Sequence, residues 1–284
     1  PALLEAGQPA QPSVSDLDCS VLFRQALPHL EELDANPKPL TDFLEQLQGH
    51  RVGRYFEALT NYWLRNISHY EVVTNNLQLI KGKQTLGEID FLFRENDSLI
   101  HWEAAVKYYL QLEPGCEAHE YIGPNTADNL ASKLHRLFDK QLPRSTPENL
   151  TRALGTLEGA ENVRRKAFIK GWLFYRHFEA ADHREPSILN PKHLKGFWLR
   201  HGEEPLPRSH DRVRWALLAK PNWLAPKISS DSDSLITRDQ LEQLLDNHFQ
   251  TRQSPLLVAK LEPFTNGYQE TLRGFIVPPV WPHL

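Results

Sequence analysis

The residues of this 284-residue chain best suited to chemistry are acids and a lysine set inside apolar, strand-like runs. Asp90 stands in LGEIDFLFR (86–94), and Glu103 and Lys107 stand in SLIHWEAAVKYYL (98–110). Side chains alternate along a strand, so Glu103, Ala105 and Lys107 share one face, and Glu88, Asp90 and Leu92 share one face of the preceding run. If the runs pair as a hairpin through the REND turn, both acids and the lysine meet on one patch of sheet. Charges on a mostly covered sheet are costly unless paired with each other or with a metal. Two converging carboxylates with room for water suit Mg²⁺, with Mn²⁺ as its substitute, because that ion binds through one or two carboxylates plus substrate phosphate. The metal would activate a water and neutralise charge on phosphorus, and the lysine would add a fixed positive charge. The competing reading is a Glu103–Lys107 ion pair on a half-exposed sheet.

The flanking elements must bring these groups together. Residues 51–66 read as an amphipathic helix with Val52, Phe56, Leu59 and Trp63 as its buried stripe, which places Glu57 at the flank of that stripe. The runs 70–80, 86–94 and 98–110 are β-branched and aromatic, and 163–177 reads as a further strand. Residues 125–142 return to helical period with Leu130, Leu134, Leu137 and Phe138 on one face. The order α-β-β-β-α-β implies an α/β fold with a mixed central sheet flanked by helices. Upstream, Asp16 to Gln48 has helical spacing interrupted at Pro37 and Pro39, behind a loose tail over residues 1–15. Downstream of a linker at 182–191, strands are expected at 212–219, 256–261 and 271–277, with a helix at 236–249. The chain thus divides into a tail and helical segment (1–50), an α/β core (51–185) and a C-terminal α/β extension (186–284) packed on the core, which offers a homodimer or substrate surface.

Several function classes are disfavoured. The dinucleotide, P-loop, zincin and nucleophile-elbow signatures are absent, and the thirteen histidines form no close ligand pair on a helix face. Cys19 and Cys116 give neither a zinc clamp nor a disulfide framework. No apolar run is long enough for a membrane span, and the first twenty residues show no secretion signal, so a cytoplasmic setting without a membrane partner is expected.

With the acids placed on helix, hairpin and strand in this order, the sequence resembles the PD-(D/E)XK nuclease superfamily. That resemblance implies a restriction-endonuclease-like core in which Asp90 and Glu103 hold the metal, Lys107 stabilises charge and Glu57 assists from its helix. Glu88 is read as structural. One departure is visible: the superfamily spaces acid and lysine two residues apart, whereas Glu103 and Lys107 are four apart and Ala105 fills the acid position. The phrases GRYFEALTNYWLR, HWEAAVKYYL, GPNTADNLASKLHRLFDKQL and KGWLFYR, from about residue 50 onward, further resemble a bacterial family labelled domain of unknown function 1853, usually placed in that superfamily by fold.

The charge distribution bears on the substrate. The chain carries 32 Lys+Arg against 36 Asp+Glu, yet residues 133–176 hold ten cations against four acids, leaving the remainder at 22 against 32. Lys133, Arg136 and Lys140 recur at helical spacing opposite the leucine stripe, and Arg164, Arg165 and Lys166 open a strand; these would contact phosphates of DNA or RNA. A solvated helix face explains the first three equally well. The expected function is a Mg²⁺-dependent nuclease acting on DNA or RNA, and its competitor is an inactive nuclease-like fold serving as a nucleic-acid-binding or protein-interaction module.

Overall fold

Prolines and turn residues punctuate the chain where the sequence places them. The structure is a computed structural model that describes residues 19–47, 49, 51–113, 117–176, 185–220 and 222–282. The tail over 1–15, Cys116 and the front of the 182–191 linker lie outside the described residues. Helices α1 (Cys19–Ala35) and α2 (Lys38–Glu45) meet at Pro37, and Pro39 sits in the first turn of α2, where its missing N–H costs nothing. Helix α3 (Val52–Asn66) leads into a meander of β1 (Glu71–Lys81), β2 (Gln84–Glu95) and β3 (Ser98–Gln111). There follow β4 (Tyr121–Ile122), α4 (Leu130–Arg136), α5 (Pro147–Leu154) and β5 (Arg164–Tyr175), then β6 (Leu194–Arg200), β7 (Arg214–Leu217), β8 (Ile228–Ser229), α6 (Arg238–Thr251), β9 (Leu256–Phe264) and β10 (Gly267–Val277).

The helix expected over 125–142 is shorter and less regular. It starts at Leu130, because Ile122 and Asn129 form a bridge that holds the intervening residues in a turn. Beyond Arg136 it relaxes into a turn of π helix (Leu137–Gln141) and a 3₁₀ turn (Leu142–Arg144). Helix α5 and strand β6 were not expected; the first is capped by Thr146, whose hydroxyl accepts from Asn149 N–H.

The fold is mixed α/β, with mixed strand pairing and flanking helices, and the chain forms two compact units. These do not follow the division expected at residue 185. The first gathers segments up to Lys107, Ser132–Lys170 and Ser187–His193; the second gathers Tyr108–Ala131, Gly171–Pro186 and Leu194–Leu284. Strands β3 and β5 each begin in the first unit and end in the second. In the second unit β6 runs parallel to β5 and β10, while β9 is antiparallel to β10 and β7. Helix α6, closed at its start by a Thr237–Gln240 capping box, lays Leu241, Leu245 and Phe249 against Phe197, Trp215 and Val258.

In the first unit the strand order is β1-β2-β3-β5, with β1, β2 and β3 antiparallel. Helix α3 covers one face, packing Phe56, Trp63 and Leu64 on Phe91, Phe93, Ile100 and Trp102. Trp102 is stacked between Trp63 (ring centroids 6.4 Å apart) and Phe168 of β5 (4.6 Å). Helix α5 covers the other face with Leu150 and Leu154 on Leu79, Ile89, Leu92 and Leu99.

The alternation of β2 breaks at Asp90. Ile89 and Leu92 belong to the α5-side core, whereas Phe91 and Phe93 belong to the α3-side core. Glu88 and Leu92 therefore do not share a face, as simple alternation required. The pairing of β1 with β2 matches Asn75 to Phe91 and Leu77 to Ile89, and between them Asn76 adopts φ 51°, a left-handed conformation that asparagine tolerates. On the other side, the β2–β3 ladder pairs Phe91–Glu95 with Ser98–Trp102, and the Ala104 N–H next along is taken by the Asp90 carboxylate (2.8 Å to Oδ2). A side chain thus replaces a rung of the ladder, and the hairpin opens at the acids.

The burial pattern yields a stability prediction. Leu64 is fully buried against the tryptophan stack, so Leu64→Ala is expected to cost about 2–5 kcal/mol. Phe23→Ser, at an exposed position on α1, is expected to cost less than about 0.5 kcal/mol. Urea midpoints at unchanged m-value measure both.

Candidate active site

Three elements of the first unit deliver the acids. Helix α3 supplies Glu57, β2 supplies Glu88 and Asp90, and β3 supplies Glu103. Glu103 is 1% exposed, and both of its oxygens are engaged. Oε1 shares a hydrogen bond with His101 Nε2 at 2.9 Å, and Oε2 accepts from Gln141 Nε2 at 2.6 Å. Gln141 Oε1 in turn accepts from Lys133 Nζ at 3.0 Å. Glu103 is therefore held by His101 and Gln141 and forms no ion pair with Lys107, which removes the same-face pair that competed with the site reading.

Lys133 is the main displacement from expectation. Read as an exposed phosphate contact, it is 9% exposed and turned into the acid cluster, whereas Arg136 and Lys140 are exposed. Lys133 lies on the same helix face as the buried Leu130 and Leu137, and the π turn that follows places its partner Gln141. Residues 133 and 141 are eight apart, roughly 80° out of phase on a regular α-helix, but a π turn absorbs one residue and brings them back close to one line. Lys133 then donates to Gln141, which in turn donates to Glu103.

Behind Glu103 lies a second set of buried groups. His101 Nδ1 and Ser145 Oγ share a hydrogen bond at 2.9 Å, and Arg165 donates to Ser145 Oγ (3.0 Å) and to the Ser145 carbonyl (2.8 Å). Burial, with the nearby Arg165, lowers the His101 pKa to about 3, so its link to Glu103 is a neutral hydrogen bond and not an ion pair. Arg144 also approaches, its guanidinium lying where a Cβ on Gly87 would be, and Gly87 has φ 138°. A side chain at position 87 would meet both the strain and the arginine. Of these residues only His101 carried a sequence signal, since it lies two residues before Glu103 on the same strand face; Gln141, Arg144 and Ser145 carried none.

The acids crowd each other. Burial first, then Asp90 and Glu88, raises the Glu57 pKa to about 7. Burial and Glu103 raise Asp90 to about 7, against the opposing pull of the Ala104 N–H and Lys133. Burial raises Glu103 to about 7 despite Lys133 and Arg144. Lys133 is lowered by burial and by the neighbouring Lys107, which places Lys107 beside the cluster. The structure thus brings Glu57, Asp90, Glu103, Lys107 and Lys133 together.

The other expected phosphate contacts are dispersed. Arg164 and Lys166 both reach Glu95 (3.7 and 3.9 Å), and Arg165 on the opposite face of β5 is spent on Ser145. Alternation along the strand splits what looked like one cationic cluster, so Arg136 and Lys140 are left as the exposed cations of that set on the helix.

The donor set has the chemistry of a hard divalent cation site. Asp90 uses only Oδ2 in its hydrogen bond, and Glu57 and Glu88 accept none among the described residues. Among the described residues no group of three or more His, Cys, Asp or Glu is placed to hold a metal ion. An ion held by two carboxylates that keeps several waters does not require such a group.

A family model described as domain of unknown function (DUF1853) matches residues 1–277. The chain belongs to that family. No curated protein and no solved structure matches it. Membership carries no reaction with it, so the chemistry of this DUF1853 chain has to be argued from its own side chains. Among its described residues, no helix is long and apolar enough to cross a membrane.

The raised carboxyls give a signed pH dependence. Their folded pKa values exceed the unfolded ones, so the protonated forms favour the fold, and that contribution is present below about pH 4 and lost as pH rises through about 7. Asp90→Asn removes one charge while keeping an oxygen for the Ala104 N–H. It is expected to stabilise the metal-free protein at pH 8 by on the order of 1–2 kcal/mol, after allowance for solvent screening, and to do little at pH 5. Thermal unfolding at the two pH values checks this.

Proposed function

We propose that the protein is a divalent-metal-dependent phosphodiesterase acting on DNA or RNA, with a nuclease-like core of the PD-(D/E)XK kind. The observation that carries this reading is the gathering of Glu57, Asp90 and Glu103 at an opened hairpin, each with its pKa raised to about 7. Perturbed carboxyls clustered beside cations mark functional sites more often than structural ones. The helix–hairpin–strand–helix order supports the superfamily placement.

Asp90 and Glu103 would hold the ion, with Glu57 facing it from α3. Such an ion, when bound, lowers the pKa of a coordinated water and neutralises charge on the phosphate. The chain's own groups supply the rest. Glu57, with a pKa near neutrality, can take the proton of the attacking water or return one to the leaving oxygen. Lys133 offers its ammonium from α4, where the superfamily uses a strand lysine, and Lys107 stands next to it. His101, Ser145 and Arg165 touch no substrate position; they fix the Glu103 rotamer, as outer hydrogen-bond partners of metal ligands commonly do.

A specific observation favours the second reading, an inactive nucleic-acid-binding fold: Ala105 stands at the usual acid position, and both Glu103 oxygens already have partners. Cleavage assays with single- and double-stranded DNA and RNA in Mg²⁺ or Mn²⁺ separate the two. Wild-type cleavage is expected, abolished by EDTA, reduced by at least about 100-fold in Asp90→Asn, Glu103→Gln and Lys133→Met, and falling as pH drops below about 7. Background cleavage that is equal in all four proteins overturns the phosphodiesterase reading.

A further inference from the structure

Beside the acids, on the α3 face of the sheet, a cleft of about 360 Å³ runs between the helices and the β1–β2 ribbon. Its size lies within the roughly 300–1,000 Å³ of small-molecule sites. Phe43 on α2, partly buried, and the buried Phe91 on β2 line it. Asn61 on α3, Asn75 on β1, Arg54 and Glu57 also line it.

The asparagines are orientated by one residue. Arg65 donates from Nε to Asn61 Oδ1 (3.0 Å) and from its Nη2 to Asn75 Oδ1 (2.8 Å). A guanidinium can only donate, so both amide oxygens are committed to it, and the amide assignments follow. Neither Nδ2 group donates to a partner among the described residues. The lining therefore includes two asparagines whose oxygens are tied to Arg65 and whose NH₂ groups remain available to donate, two phenylalanines, and an arginine with Glu57 and Glu88.

That combination has a distinct chemical complement. A flat ring with carbonyl or ring-nitrogen acceptors on its edge stacks on the phenylalanine and accepts from the amides, and an attached phosphate reaches Arg54 and the acid site. A paired base cannot enter, because both of its faces are stacked and its Watson–Crick edge is covered within a duplex. We infer that this cleft receives an unpaired nucleobase and thereby positions its neighbouring phosphodiester at the acids, an inference that rests on the phosphodiesterase reading for the second half only. Stacking on aromatic rings plus a few fixed donors is the way single strands are held without a duplex groove.

The test measures binding separately from cleavage. Fluorescence anisotropy with labelled single-stranded and duplex oligonucleotides of one sequence, as DNA and as RNA, is run in Ca²⁺ with wild type, Asn61→Ala/Asn75→Ala and Phe43→Ala. Single strands are expected to bind at least about tenfold tighter than duplex, and each variant is expected to lose about tenfold on single strands with its duplex affinity and thermal midpoint unchanged. Duplex binding equal to single-strand binding, no binding of either, or unchanged affinity in both variants overturns the inference. Competition by mononucleotides distinguishes the source of the base: displacement at similar concentration assigns the cleft to free nucleotides, its absence to strands, and either upholds a base site. The two readings fail separately. Binding that depends on Asn61, Asn75 and Phe43 without cleavage in Mg²⁺ upholds the cleft and removes the phosphodiesterase, whereas cleavage indifferent to those residues removes the cleft alone.

Discussion

The carboxyls of this site outnumber the cations able to neutralise them, and burial withdraws them in part from water. Glu57, Asp90 and Glu103 all titrate near neutrality because burial and mutual repulsion outweigh Lys133 and Arg144. Much of the irregular structure nearby accommodates that imbalance. The hairpin gives up a rung so that Asp90 can accept the Ala104 N–H. The helix after β4 ends in a π turn that sets Gln141 between Lys133 and Glu103. Ser145 and Arg165 hold His101 against the same carboxyl. A fold selected for stability alone would have replaced these acids with apolar side chains, since a buried ionic cluster gains little over well-packed hydrocarbon.

The break in alternation at Asp90 divides the site into two environments. Glu103 lies on the α5 side, in a dry network where every oxygen has a partner. Glu57 and Glu88 lie on the α3 side, where they line an open cleft and accept no hydrogen bond among the described residues. One side provides rigidity and the other provides access. Such a division suits a site whose ligand must be held in fixed geometry and still come and go.

Regular features of this arrangement were legible in the sequence, and irregular ones were not. The α3 helix, the three-strand meander and β5 follow from hydrophobic period and turn residues, whereas Glu57 is expected beside Asp90 and Glu103 only through the family resemblance. Lys133 is expected outward with Arg136 and Lys140, yet it stands three residues after Leu130 and four before Leu137, and it is buried with them. Arg164 and Lys166 were read as a free cationic edge because Glu95, their partner, is some seventy positions away in the chain. The face exchange within β2 depends on Asn76 adopting a left-handed conformation in the neighbouring strand, which period-2 counting along β2 alone does not reveal. Helix α5 and β6 were missed because they are short and gain their stability from packing more than from propensity.

The non-consecutive make-up of the two units has a consequence for biosynthesis. The first unit takes Ser187–His193 and the second takes Tyr108–Ala131, so neither set of segments is complete when the nascent polypeptide has emerged only as far as residue 185. A ribosome translating this message therefore exposes an acid-bearing hairpin well before its supporting segments exist, and each unit has to wait for residues synthesised after part of the other. Truncation at that point removes segments from both units at once.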